Sequence, residues 1–416
     1  MESLVFQGRF YYKGKFQELS VSVENGVIRK IGKDMRSNRT VRLEGGIFPS
    51  STDIHVHFRD PGETDMEDFF TGSMSAVFGG TTTVFDMPNN RVPVTDYEVF
   101  EQKLSAVRKR SFCDYGLYSM FTGNNSEIIS RKSSGIKTYM GGSTNAEPGL
   151  LNYDSIGQLS IHNVPKVFHA ESAECLKTNA ISEVSGLAEH DMSRPLDCEL
   201  ESLRKLSGFK LGRMVAAHVT SSESLKVVGK TALKEATPHH LLLNLKNAEG
   251  PWAKVNPPIR SSPVQEGLLT SFLDGEVDIV SSDHAPHLES EKEEMAYAKS
   301  GMIGVETRIP LMLGLVRKKI LPLDLFYRTC IENPARAFGL HKGEIAVGNF
   351  ADFFTVDLSE METLKESMLH SKVPITPFDG FQAIFPTTVV MRGEMIIERR
   401  EIISDPSGEH VMGNVR

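Results

Sequence analysis

The chain predicts an α/β fold: a (β/α)8 TIM-type barrel with a small composite β domain built from both chain ends. Three observations predict it. Eight short apolar runs alternate with longer helical patterns between residues 47 and 342, the signature of parallel strands joined by helices. A span of that length is the size of a (β/α)8 barrel. The flanking segments, 1–46 and 343–416, read as short strands, and such pieces bury a face only by pairing with each other.

The first segment alternates apolar and polar residues in places, with turn candidates at Lys13-Gly14 and Asn25-Gly26. Asn-Gly between apolar runs is a strong hairpin signal. Barrel strands are expected within 47–56, 81–87, 113–121, 136–140, 164–170, 213–219, 239–245 and 277–283. Helical patterns fall between them at 66–78, 96–110, 221–235 and 264–275. The acidic run HLESEKEEMAYAKSG (287–301) is expected as a solvated loop or helix over the barrel mouth. Strand-like stretches at 348–358 and 386–403, with a turn candidate at Arg392-Gly393, complete the terminal domain. A doubly wound open sheet would instead predict a glycine-rich phosphate turn after the first strand, and no GxGxxG or GxxxxGK[ST] occurs there.

Lys and Arg number 46 against 54 Asp and Glu, a net charge of −8. That balance argues against a nucleic-acid or anionic-membrane surface. No stretch approaches the ~18 apolar residues of a membrane span, and the N-terminus MESLVFQGRFYYKGKF lacks a signal-peptide core. The four cysteines, Cys113, Cys175, Cys198 and Cys330, form no CxxC pair. Neither a disulfide framework nor a thiolate metal site is therefore expected, and the cytoplasm is the expected location. A homodimer is the default assembly.

Polar residues gather where the apolar runs end. The first run closes on Asp53-Ile54-His55-Val56-His57. Residues i and i+2 of a strand share a face, so both imidazoles can address one ion. Lys137 lies in the fourth run, His169 ends the fifth, His218 the sixth and Asp283 the eighth. Strand ends of one barrel face are where such enzymes build active sites, and imidazole with carboxylate suits zinc or a similar divalent ion. Two such ions would repel an ammonium, so Lys137 fits beside them only if it is swung away or converted by CO2 to a bridging carbamate.

The segments DIHVHFRDPG (53–62), DMPNN (86–90), IKTYMG (136–141), FHAE (168–171), AHVTS (217–221) and SDHAPH (282–287), with KGEIAVGNFADF (342–353), together resemble the dihydroorotases of the cyclic amidohydrolase superfamily. The resemblance covers nearly the whole chain. It implies two divalent ions, zinc by default: the first held by His55, His57 and Asp283, the second by His169 and His218, with carboxylated Lys137 as the bridge. It implies that Arg59 grips a substrate carboxylate, that Asn89 binds the same end of the ring, that Asn256 touches the ring amide and that His287 contacts the substrate from the other side. It implies hydrolysis of a ring amide by a hydroxide shared between the ions, with Asp283 relaying the proton, and the reverse cyclisation by the same path. Many bacterial relatives carry Asp at the bridging position, where Lys137 stands, and a small apolar residue where Ser281-Ser282 stands. Allantoinases and hydantoinases or dihydropyrimidinases share the fold and metals but need no carboxylate grip. A non-catalytic assembly partner, the remaining alternative, would be expected to lose ligands, and all six positions are filled.

Overall fold

The computed structural model describes residues 4–146, 151 and 153–413; the outermost residues of the terminal segments, 1–3 and 414–416, lie outside it. Two eight-stranded sheets organise the chain. The central one contains the barrel strands β1 (Ser51–Val56), β2 (Thr81–Asp86), β3 (Asp114–Phe121), β4 (Gly135–Tyr139), β5 (Lys166–His169), β6 (Met214–Ala216), β7 (Leu233–Ala236) and β8 (Ile279–Val280). Each pairs in parallel with the next in sequence. Between β8 and β1 the ring closes through a parallel bridge of Val56 with His284, and the His57 amide donates to the His284 carbonyl at 2.7 Å.

A buried ion pair reinforces that seam. Arg308, fully buried, sits 3.2 Å from Asp53 and donates to the Val280 carbonyl and to Ser51 Oγ. The Asp53 carboxylate in turn accepts from the Ser282 amide. Ile54, Phe85, Val167, Val215 and Ile279, from five of the strands, form one buried cluster with Tyr118 and Phe338. Each such side chain contributes about 1.5–3 kcal/mol of burial.

The second sheet joins the chain ends. Its order runs 401–402, 394–398, 388–391, 353–356, 39–49, 4–12, 15–24, 27–32, so Phe353–Val356 pairs antiparallel with Arg39–Pro49 at the centre. All three expected turns are present as two-residue hairpin links: Lys13-Gly14, Asn25-Gly26 and Arg392-Gly393 each have both φ positive, the geometry that suits the strand twist. The apolar run 47–56 is divided between the sheets, because Ile47–Pro49 extends the terminal sheet and only Ser51 onward enters the barrel.

Helices follow the expected patterns at Phe69–Phe78, Tyr97–Val107 and Ser262–Leu273. The seventh unit differs. The helix expected over 221–235 stops at Val228, where Gly229 takes a φ of 54°, and Leu233–Ala236 becomes β7. The run 239–245, expected as a strand, opens as a helix at Pro238–Leu242, because Thr237 caps it and proline is favoured in a first helical turn.

The cysteine expectation is also corrected. Cys175 and Cys198 form a disulfide across 23 residues, while Cys113 and Cys330 are free and buried. A pair so far apart in sequence becomes visible only once the helices at Ala173–Thr178 and Leu196–Ser207 pack together. The run 287–301 is a loop with one short 3-10 turn, but it is pinned: Lys292 is buried and donates to the Pro251 and Lys254 carbonyls at 3.0 and 3.3 Å. Among the described residues no helix is long and apolar enough to cross a membrane.

Candidate active site

The ends of the barrel strands deliver the predicted side chains to one cavity. It is lined by His55, His57, Arg59, Asn89, Tyr139, Ser143, Thr144, His169, His218, Val255, Asn256, Asp283, Ala285, Ser300 and Gly301. Lys137 lies directly beneath, fully buried, with its amine 3.3 Å from His55 Nε2. Of the predicted residues only His287 stands behind the wall.

The hydrogen bonds fix which ring atoms face inward. His55 Nδ1 lies 2.8 Å from Glu235 Oε1, and His57 Nδ1 lies 2.7 Å from Asn89 Oδ1. Asn89 Oδ1 can only accept, so the His57 ring proton sits on Nδ1; with Glu235 ionised the His55 proton does the same, and both Nε2 atoms then face inward as acceptors, that of His55 also 3.3 Å from the Lys137 amine. Each Nε2 is 3.2 Å from Asp283 Oδ1. Three proton-accepting atoms thus converge with no proton of their own between them. Two ligands of a tetrahedral zinc, each at about 2.0–2.2 Å, would stand roughly 3.3 Å apart. The group His55, His57 and Asp283, with ligand atoms all within 4.8 Å of one another, therefore suits a divalent ion.

The second pair is built alike. His169 Nε2 bonds Glu171 at 2.7 Å, which turns Nδ1 inward to within 3.0 Å of His218 Nε2. Burial would raise the Glu171 carboxyl, but Arg194 and His169 outweigh it and hold it well below the usual carboxylate range. Such a carboxylate behind a ligand histidine orients the ring and raises its basicity. Burial also pulls His55, His57 and His218 well below the ordinary imidazole value, so all three are neutral at pH 7, the form that ligates. Burial lowers the Lys137 amine too, against the raising fields of Glu235 and Asp283.

Around the ions' place stand groups of other chemistry. Arg59 is 4% exposed; its Nε donates to the Pro286 carbonyl at 3.1 Å and its Nη2 lies 3.2 Å from His287 Nε2. His287 therefore buttresses Arg59, and it is tied on its far side to Glu291. Asn89 has both amide atoms engaged, the oxygen by His57 and the nitrogen on the Thr144 carbonyl at 2.9 Å. Asn256 Oδ1 lies 3.0 Å from His190 Nε2, which leaves the Asn256 amide hydrogens for the cavity. Glu235 and His190 are functional neighbours that no motif announces; Glu171, inside FHAE, lies two residues after the predicted ligand His169.

A sequence profile of the "Amidohydrolase family" matches residues 260–396. The chain is 50% identical over 402 residues to "Dihydroorotase" of Thermoplasma acidophilum, covering 96% of each chain, and 51% identical over 407 residues to that of Thermoplasma volcanium, covering 98% and 97%. In structure it resembles L-hydantoinase (dihydropyrimidinase) from Arthrobacter aurescens, with a TM-score of 0.91 and 25% identity over 99% of this chain and 100% of that one. With half its residues identical over nearly its full length, and with a candidate metal site where this metal-dependent family requires one, the chain belongs to the dihydroorotase family of amidohydrolases.

Proposed function

We propose that this chain interconverts L-dihydroorotate and N-carbamoyl-L-aspartate, and that the barrel over 47–342 carries the chemistry while the terminal segments brace it. One observation carries the reading: three unprotonated acceptor atoms, His55 Nε2, His57 Nε2 and Asp283 Oδ1, converge beside a buried guanidinium, Arg59. The first calls for a cation and the second for an anion, which suits a metal-dependent amidase acting on a ring that bears a carboxylate.

In this reading His55, His57 and Asp283 hold one divalent ion, zinc by default, and His169 and His218 a second. Lys137, as a carbamate, would supply oxygen ligands to both; the neutral amine that reacts with CO2 is the form burial favours. Bound ions would supply an acidified water and polarise the ring carbonyl. Asp283, at the cavity floor, takes the proton from the attacking water and passes it to the leaving amide nitrogen. Arg59 holds the substrate carboxylate by its planar fork, with His287 fixing the guanidinium from behind. Asn256 donates its amide hydrogens to a ring carbonyl, oriented by His190. Asn89 acts through His57 by setting its tautomer.

The fold also serves L-hydantoinase, whose structural likeness to this chain is high. Arg59 favours the carboxylate-bearing ring, since a hydantoin requires no such partner. The test is metal content of the purified chain together with kcat/KM for dihydroorotate, dihydrouracil and hydantoin. Preference for dihydroorotate with about two ions per chain is expected; a preference for hydantoin would refute the substrate assignment.

A further inference from the structure

Glu235 lies outside the predicted ligand set, yet it is fully buried at the end of β7 beneath the cavity. One of its oxygens, Oε1, is 2.8 Å from His55 Nδ1 and 3.3 Å from the backbone nitrogen of His218. His55 comes from β1 and belongs to the first ion's ligands; His218 follows β6 and belongs to the second's. A single carboxylate oxygen therefore touches both halves of the site from the strand that stands between them.

Each contact does something different. At His55 the carboxylate accepts the Nδ1 proton, which leaves Nε2 unprotonated toward Asp283. At His218 it receives the backbone N–H of a residue whose φ is 34°, a left-handed conformation that a non-glycine residue holds only when its surroundings impose it. A buried carboxylate is also costly unless hydrogen-bonded or paired, so a place for one in a barrel floor asks for a reason beyond packing.

We propose that Glu235 is a positioning residue that couples the two halves of the metal site, setting the tautomer of His55 and the backbone of His218 together. This rests on the metal-site reading above. Partners behind a ligand histidine typically change metal affinity by about 10–100-fold. Two variants test it: Glu235→Ala removes both contacts, and Glu235→Gln keeps an oxygen acceptor without the charge.

Wild type and both variants are stripped with chelator and titrated with Co2+, followed by visible absorption and by competition with a chelator of known affinity. Thermal unfolding of the metal-free proteins is measured alongside. Expected are Co2+ affinity weakened by about 10–100-fold in Glu235→Ala, an intermediate loss in Glu235→Gln, and a metal-free midpoint at or above wild type in Glu235→Gln. Wild-type Co2+ affinity in both variants overturns the proposal. So does a weakening matched by a lowered metal-free midpoint in Glu235→Gln, which would make the role one of packing. Failure of the wild type itself to take up Co2+ would overturn the metal reading, and this inference with it.

Discussion

Replacing Arg59 by Met removes a buried guanidinium but keeps a long flexible side chain in its place. Two of the five N–H groups of Arg59 are used inside the protein, on the Pro286 carbonyl and against His287, and the remainder are free for a ligand in the cavity that Arg59 lines. A carboxylate held by them gains charge-assisted hydrogen bonds, each worth about 1.5–3 kcal/mol. At ~1.4 kcal/mol per tenfold, loss of even one such bond lowers kcat/KM for dihydroorotate by roughly 10–100-fold. Dihydrouracil is the same ring without the carboxylate and forfeits none of that term. The assay is kcat/KM for both substrates in wild type, Arg59→Met and Arg59→Lys, with metal content measured on each. The dihydroorotate-to-dihydrouracil ratio is expected to fall by roughly 10–100-fold in Arg59→Met, and Lys is expected to restore only part of it because an ammonium cannot reproduce the fork. An equal loss on both substrates would show that Arg59 supports the site rather than selects the substrate.

Lys137→Ala is expected to lose activity and much of the bound metal, and Lys137→Arg not to rescue it, since a guanidinium forms no carbamate; normal turnover with two ions per Lys137→Ala chain would refute the bridge. Asp283→Asn keeps an oxygen ligand but cannot carry the proton, so kcat should fall by about 10²–10⁴ with metal retained; a kcat within a few-fold of wild type rules the relay out. The Cys175–Cys198 bridge closes a 23-residue separation, for which loop entropy predicts about 3 kcal/mol; thiol counting before and after reduction, with unfolding of Cys175→Ser, checks both the bond and its contribution. Burial lowers His190, His240, His287 and His410 to about 4. Below pH 6.5 the unfolded chain therefore binds protons that the folded one refuses, so stability falls as pH drops from about 6.5 to about 4. Each group costs up to ~1.4 kcal/mol per pH unit. Denaturant midpoints of the metal-free protein should decline over that window, and a flat profile from pH 6.5 to 5 would contradict it.

Much of this fold is legible in the sequence because the relevant signals are local. The turns Lys13-Gly14, Asn25-Gly26 and Arg392-Gly393 are read from dipeptides, and β1 to β6 from apolar runs that end in polar residues. The seventh unit misleads because HHLLLNL has a strand's composition, while the deciding feature, a Thr237-Pro238 helix start, precedes it. β7 itself, LKEA, is too short and too polar to stand out. The disulfide and the roles of His190 and Glu235 depend on contacts between distant segments, which no periodicity encodes. The ligand candidates are legible for the opposite reason: His-X-His and Ser-Asp-X-Ala-Pro-His carry chemistry in adjacent letters.

Among the described residues thirteen non-glycine residues have positive φ, and ten are exposed or part-exposed turn residues. The other three are Arg59 at 60°, His218 at 34° and Asp283 at 49°, each at most 9% exposed, and all three line the cavity. A strand continuing in extended geometry would send alternate side chains to opposite faces. A left-handed residue just past a strand end breaks that alternation and turns its side chain back across the mouth. The conformation costs on the order of 1–3 kcal/mol at each position and persists only where neighbours impose it. Those neighbours are identifiable: Glu235 on the His218 amide, His287 and Pro286 on Arg59, and the Asp53 carboxylate on the Ser282 amide just before Asp283. Strain at these three positions, and the buried carboxylates that hold two of them, thus belong to one arrangement. It explains why substitutions at Glu235 or Asp53, which do not line the cavity themselves, are expected to disturb the site more than their distance from the substrate suggests.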